Sequence, residues 1–204
     1  RLDRLKVENA KISAESAALA AENEALDMDN QKLREALENE EKLRTLSAAV
    51  EQSPASVVIT DLDASILYVN PKFTEVTGYA AAESIGQNPR ILQSGLTARG
   101  AFEQLWGQLT SGHSWHGELI NKRKDGTLYF EDAHIAPVKD LSGVISHYVA
   151  IKTDITERKR VEASLLESES RFRGVFDSVG EAIFIHDAET GAILQVNRRM
   201  GEMY

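Results

Sequence analysis

Leucine or isoleucine recurs at every seventh residue, at Leu5, Ile12, Leu19, Leu26 and Leu33, and this period leaves the first part of the chain little choice of structure. A seven-residue apolar spacing holds one seam of a helix toward a partner when two helices wind around each other, with these residues as d positions. The companion a positions fall at Leu2, Asn9, Ser16, Asn23, Asn30 and Leu37. No Pro or Gly stands before Pro54 and alanine is abundant, which favours one helix over residues 1–50. An Asn in the a column bonds its mate across a two-stranded, in-register seam, so the spacing predicts a parallel homodimer. Polar a positions also weaken the seam. The flanking charges are divided, Asp29 with Arg34 being attractive across it and Glu22 with Asp27 repulsive. Such a zipper needs a folded neighbour for support. The alternative is one amphipathic helix packed on its own domain. The period fails at Glu40 and resumes out of phase at Leu43, Leu46 and Val50, a stutter where supercoil twist changes.

With 204 residues and 42% apolar content, the chain can fill one ordinary core beyond that helix. Val57–Asp61 and Ser65–Val69 read as strands around a turn at Leu62-Asp63-Ala64. Asn70-Pro71 breaks the second strand, and Phe73, Val76 and Tyr79 anchor a brief helix. A helix over Thr97–Leu109 carries Phe102, Leu105, Trp106 and Leu109 on one side. Three apolar runs follow, Trp115–Arg123, Thr127–Val138 and Val144–Thr153, joined by turn signals at Lys124-Asp125-Gly126 and Asp140-Leu141-Ser142-Gly143. The expected fold class is α+β, a five-stranded antiparallel sheet with short helices, placed over residues 51–156.

Helix then resumes. Thr156 is expected to cap a linker helix over 157–175, where Val161, Leu165, Ser168, Phe172 and Val175 form a second coiled-coil stripe. From Val179 to Asn197 the pattern of Val57 to Asn70 is repeated, so residues 176–204 look like the start of a second copy. Without further strands such a piece is expected to be poorly ordered or to borrow partners.

Other readings are excluded by composition. A net charge of −9, spread along the chain, does not suit a nucleic-acid surface. The absence of cysteine removes disulfides, thiolate metal sites and cysteinyl adducts. No apolar run reaches the ~18 residues of a membrane span. Arg1 in place of Met suggests an excised piece. Neither a phosphate-binding Gly-rich loop nor a nucleophile triad is present, and His113, His116, His134 and His147 have no metal-ligand spacing, so neither an enzyme nor a metal site is expected. One segment does carry binding chemistry. Gly86–Gln93 sets Asn88, Arg90 and Gln93 beside Ile91 and Leu92, the make-up of a pocket wall for a flat ligand with a polar edge.

Thr60-Asp61, Asn70-Pro71, Thr77-Gly78-Tyr79, Arg123 to Thr127 and Asp154-Ile155-Thr156, in this order, resemble the motifs of PAS sensor domains over about residues 45–160. Among PAS domains, Asn88, Arg90, Gln93 and Asn121 match positions that contact flavin in the light-sensing group. Glu131 and Lys152 depart from that group's asparagine and glutamine, and Pro89 replaces its reactive cysteine, so a cysteinyl photocycle is excluded. Trp106 stands where the photoreceptors place an arginine for the FMN phosphate. Trp106, Leu105-Trp106-Gly107, Trp115-His116-Gly117 and Asn121 to Asp125 are more similar to the flavin redox sensors that regulate nitrogen fixation and methane oxidation. That resemblance implies non-covalent FAD in place of FMN, held by Asn88, Arg90, Gln93, Trp106, Asn121, Glu131 and Lys152. Haem, which needs an axial histidine on the 97–109 helix, is not implied. The resemblance further implies relay of redox or oxygen state through Asp154, Ile155 and Thr156 into the exit helix. The effector, a histidine kinase or cyclic-dinucleotide enzyme of a bacterium, would lie elsewhere, on the cytoplasmic side. The competing expectation is a ligand-free PAS module for dimerisation and relay.

Overall fold

The computed structural model describes residues 2–203, without the side chains of residues 2–7, 9, 10, 12, 14, 18, 21 and 25. The seam positions Leu2, Leu5, Asn9 and Ile12 lie outside the described side chains. The chain divides into two units, the second beginning at Pro54. The first is a single helix, α1, Leu2–Glu51, which at 1.5 Å per residue runs about 75 Å. It passes through Glu40 unbroken. Leu19, Leu26, Leu33, Leu37, Leu43 and Leu46 are 54–69% exposed.

In the second unit, strands β1 (Ser56–Thr60) and β2 (Ile66–Val69) precede three short helical pieces: α2 (Pro71–Thr77), α3 (Ala81–Ser84) and a 3-10 turn at Pro89–Leu92. Helix α4 (Arg99–Thr110) leads into β3 (Trp115–Lys122), β4 (Leu128–Lys139) and β5 (Ile145–Asp154). The sheet is antiparallel in the order β2-β1-β5-β4-β3, so the strand made last lies at its centre. Each strand lies within a residue or two of its expected range. The turns show why. Asp61 Oδ1 accepts the N–H groups of Asp63 at 3.0 Å and Ser65 at 2.8 Å, and Asp140 Oδ1 those of Ser142 at 2.8 Å and Val144 at 3.0 Å. Gly126 and Gly143 supply φ of 90° and 82° in the two later hairpins.

Asn70 joins these parts. Its Oδ1 accepts from Val57 N–H at 2.9 Å and Phe73 N–H at 3.1 Å, while its Nδ2 donates to the Ala55 carbonyl at 3.0 Å. One amide thus caps α2, with Pro71 at the first helical position, and ties it to β1.

Two apolar clusters pack on the inner face of the sheet. One gathers Val58, Ile66, Val69, Phe73, Leu92 and Ala150, the other Leu105, Leu109, Trp115, Leu119, Ala133 and Tyr148, and Ile135 packs against both. Of the anchors expected for α2, Phe73 is buried, whereas Val76 and Tyr79 are half-buried. Trp115 lies over Gly117 on the same strand face. A Cβ at Gly117 would sit 2.6 Å from Trp115 Cζ2, so the Trp-x-Gly spacing follows from packing.

Helix α5 runs Thr156–Ser178 and exposes Val161, Leu165, Phe172 and Val175. Its expected cap is corrected. Thr156 is the first helical residue, its hydroxyl accepts from Phe130 N–H at 2.9 Å, and Asp154 Oδ1 accepts from Thr156 N–H at 2.9 Å. The carboxylate two residues earlier takes the first N–H of the helix, and the Thr156 hydroxyl, engaged by Phe130, anchors the helix start on β4 instead of capping it.

The repeat then appears as β6 (Phe184–His186), β7 (Ile193–Val196) and α6 (Arg198–Met203). Asn197 reproduces the three bonds of the Asn70 node and adds one to α5: Oδ1 accepts from Ile183 N–H at 2.9 Å and Met200 N–H at 3.1 Å, and Nδ2 donates to the Glu181 carbonyl at 2.8 Å and the Phe176 carbonyl at 3.2 Å. Yet both strands are exposed along their whole length. Among the described residues, no helix is long and apolar enough to cross a membrane, and no three His, Asp or Glu side chains are placed to hold a metal ion.

Candidate functional site

Between the two apolar clusters lies a cavity of about 320 Å³. Strand alternation selects its sheet side: Val58 and Thr60 of β1, Leu119 and Asn121 of β3, and Tyr148, Ala150 and Lys152 of β5 all face it. Helix α4 offers Phe102, Leu105, Trp106 and Leu109, spaced so that one helix face closes the cavity. Leu105 and Leu109 are buried, whereas Trp106 is 40% exposed and meets the Tyr148 ring edge-on at 5.8 Å. Asn88, Pro89, Arg90 and Gln93 form the remaining wall. A backbone bridge between Gln93 and Asn121 fastens that wall to β3. The sequence-expected residues Asn88, Arg90, Gln93, Trp106, Asn121 and Lys152 therefore line one cavity.

Their states differ. Asn88 Oδ1 accepts from Arg90 N–H at 3.0 Å and caps the 3-10 turn, so part of its amide is engaged within the wall. Arg90 is exposed, and its guanidinium meets no carboxylate among the described residues. Glu131 does not line the cavity. It lies behind two residues that do, accepting from Asn121 Nδ2 at 2.8 Å and Lys152 Nζ at 2.7 Å on Oε1, and from the Tyr129 hydroxyl at 3.2 Å on Oε2. Glu131 is 2% exposed and Lys152 7%, which makes this a buried ion pair with its hydrogen bonds supplied. Register explains the meeting, since Asn121 pairs with Tyr129 and Lys152 with Ala133, each diagonal to Glu131.

Tyr129 carries the network outward. Burial, with the Glu131 charge and hydrogen bond beside it, pushes its phenol well up from the ordinary value. Arg123 stacks over the Tyr129 ring at 4.6 Å, donates to the Val76 carbonyl and pairs with Asp154 at 2.6 Å. Burial works to raise the Asp154 carboxyl, but the Thr156 hydroxyl and N–H and the Arg123 guanidinium outweigh it and hold the pKa below the ordinary carboxylate value. Asp154, Ile155 and Thr156 are outside the cavity, and Asp154 and Thr156 line a second, polar groove with Arg123. Ile155 is buried, its N–H on the Phe130 carbonyl at 2.9 Å.

The signature of the PAS domain matches residues 54–157, just over half of the chain, and a second PAS signature matches 170–204. The chain belongs to the PAS domain family. It is a PAS sensory signalling module, 34% identical over 145 residues to the nitrogen fixation regulatory protein of Klebsiella oxytoca, a match covering 71% of this chain and 29% of that protein. A blue-light-activated histidine kinase of Rhizobium johnstonii is 28% identical over 155 residues, 71% of this chain and 45% of the kinase. The chain thus spans less than half the length of either relative. An RNA-binding light-oxygen-voltage receptor has a similar structure, with a TM-score of 0.55 and 29% identity over 62% of this chain and 36% of that one. A light-oxygen-voltage domain studied with a flavin analogue gives 0.52 and 29% over 62% of this chain and 96% of that one.

Sequence reasoning missed three parts of this PAS site. Tyr129 lies two residues before Glu131 on β4, so alternation could have placed both on one face. Tyr148, four before Lys152, carries the same signal. Arg123 closes the expected strand Trp115–Arg123 and opens the motif Arg123 to Thr127, but its bridge from Tyr129 to Asp154 depends on strand register.

Proposed function

We propose that residues 54–157 bind FAD non-covalently and pass redox or oxygen state to an effector through paired helices. The observation that carries this reading is the cavity itself, where Arg90, without a carboxylate partner, and the amides of Asn88, Gln93 and Asn121 surround an apolar interior. The residues fit a flavin ring: flat apolar faces come from α4 and the sheet, and donors and acceptors from the wall and β3. At about 320 Å³ the space stands at the low end for ligand pockets, room for the ring system while the tail leaves past the half-exposed Trp106. Such a group supplies a redox couple in which one ring nitrogen changes from hydrogen-bond acceptor to donor.

This chain's own residues would answer that change. Asn121 offers both donor and acceptor on one rotatable amide, and its Nδ2 is bonded to Glu131. A turn of that amide alters the charge-paired group behind it, and Tyr129 and Arg123 extend the path to Asp154, where α5 begins. The exposed leucine seam of α1 and the exposed stripe of α5 support a parallel homodimer as the output form, working in the cytoplasm ahead of a kinase or cyclic-dinucleotide effector.

Purified chain should be yellow and release FAD on denaturation, and sediment as a dimer. Colourless protein that FAD cannot reconstitute would refute the binding. It would favour the second reading, a ligand-free relay and dimerisation module, for which the engaged amides of Asn88 and Asn121 speak.

A further inference from the structure

Among the described residues, one buried side-chain polar atom has no hydrogen-bond partner, the hydroxyl of Ser56. A buried hydroxyl without a partner is costly, and native domains keep few of them. Ser56 opens β1, and its direct cross-strand partner on β5 is Lys152. Directly opposed residues of an antiparallel pair project to the same face, their Cβ atoms about 4.5–5.5 Å apart. Here that is the cavity face, since Val58, Thr60, Ala150 and Lys152 all line the cavity. The Lys152 ammonium has three donors on a flexible four-carbon stem, and Glu131 Oε1 takes one of them at 2.7 Å.

We propose that Ser56 Oγ is a second seat for the Lys152 ammonium, which makes the buried lysine a two-position switch. In the observed position the ammonium links β5 to Glu131 on β4. In the other it links β5 to the first residue of β1. A ligand edge that meets Lys152, which lines the cavity in front of Glu131, draws the ammonium off the carboxylate and sends it to Ser56, where a buried acceptor is waiting. The cross-link then leaves the residue paired with Asp154 and joins the strand that follows α1 in the chain. As a signalling element the switch rests on the ligand-binding reading above. The second seat itself does not.

The test is a double-mutant cycle in the ligand-free chain, read as thermal midpoints at one protein concentration for wild type, S56A, E131Q and S56A/E131Q. In the wild-type background S56A removes an unpaired hydroxyl and should raise Tm by about 2–4 °C. In the E131Q background the ammonium has moved to Ser56, so S56A should lower Tm by about as much. That reversal of sign is the expected result, whereas a shift of the same sign and size in both backgrounds overturns the second seat. If E131Q does not fold, E131D, which keeps the charge but withdraws it by one methylene, is put through the same comparison under the same criterion. Since no flavin is present, failure of the cycle and failure of FAD binding remain separate results.

Discussion

Replacing Glu131 by Gln tests whether the charge at the centre of the polar network holds it together. The substitution keeps the shape but removes the anion from three donors, Lys152 Nζ at 2.7 Å, Asn121 Nδ2 at 2.8 Å and the Tyr129 hydroxyl at 3.2 Å. Hydrogen bonds to charged groups contribute about 1.5–3 kcal/mol each, and removing one partner of a buried pair costs about 3–5 kcal/mol. A Gln oxygen retains one acceptor and Ser56 offers another, both neutral, so the expected loss is about 3 kcal/mol. The assay is urea unfolding of the ligand-free chain at fixed concentration, followed through the fluorescence of buried Trp115. Replacing both charges, as E131L/K152M, should return stability to within about 1 kcal/mol of wild type, because the pair's desolvation is relieved together with its attraction. If E131Q unfolds within about 0.5 kcal/mol of wild type, the carboxylate is not the hub of the site.

Asn70→Ala should cost about 2–4 kcal/mol in the main unfolding transition, because three hydrogen bonds are lost at a fully buried amide. Asn197→Ala removes the three matching bonds and a fourth, to the Phe176 carbonyl, at the base of an exposed hairpin and should leave that transition in place, with hydrogen exchange speeding up only around 176–200; equal effects would show the two nodes to be coupled. Asp154 has a folded pKa below its ordinary value of 3.8, so its stabilisation is present above that value and is lost as pH falls through the lower folded pKa. Asp154→Asn should therefore flatten the acid limb of a stability profile, and an unchanged limb would exclude Asp154 as a contributor. Gly117→Ala drives a methyl into the Trp115 ring and should cost about 1–3 kcal/mol with a shifted Trp emission, and an unshifted, equally stable variant would show that the ring has room to move.

What was legible in the sequence was what local chemistry decides. Asp61, Gly126, Asp140 and Gly143 mark their turns by residue type, and alternation does the rest, so the five strands could be placed within a residue or two. Asn88, Arg90 and Gln93 were recognisable as a wall because polar and apolar residues adjoin in one short segment. Three features depended on something that no single segment holds. The meeting of Glu131 with Lys152 follows from the pairing of β4 with β5, and that of Ser56 with Lys152 from the pairing of β1 with β5. Thr156 has the residue type of a cap, but its hydroxyl is taken by the N–H of Phe130, distant in sequence, while Asp154 accepts from the N–H of Thr156 itself.

The central place of β5 also governs when the domain can form. Until residues 145–154 are made, β1–β2 and β3–β4 are two hairpins with no shared neighbour, and the inner edges of β1 and β4, which β5 later pairs, stand open. During synthesis, then, the nascent chain holds two incomplete halves until its fifth strand arrives, and closure is a late event of long sequence separation. The hairpin of β6 and β7, with its asparagine node formed and its apolar side chains bare, is a portrait of how β1 and β2 stand before that strand comes between them and the rest.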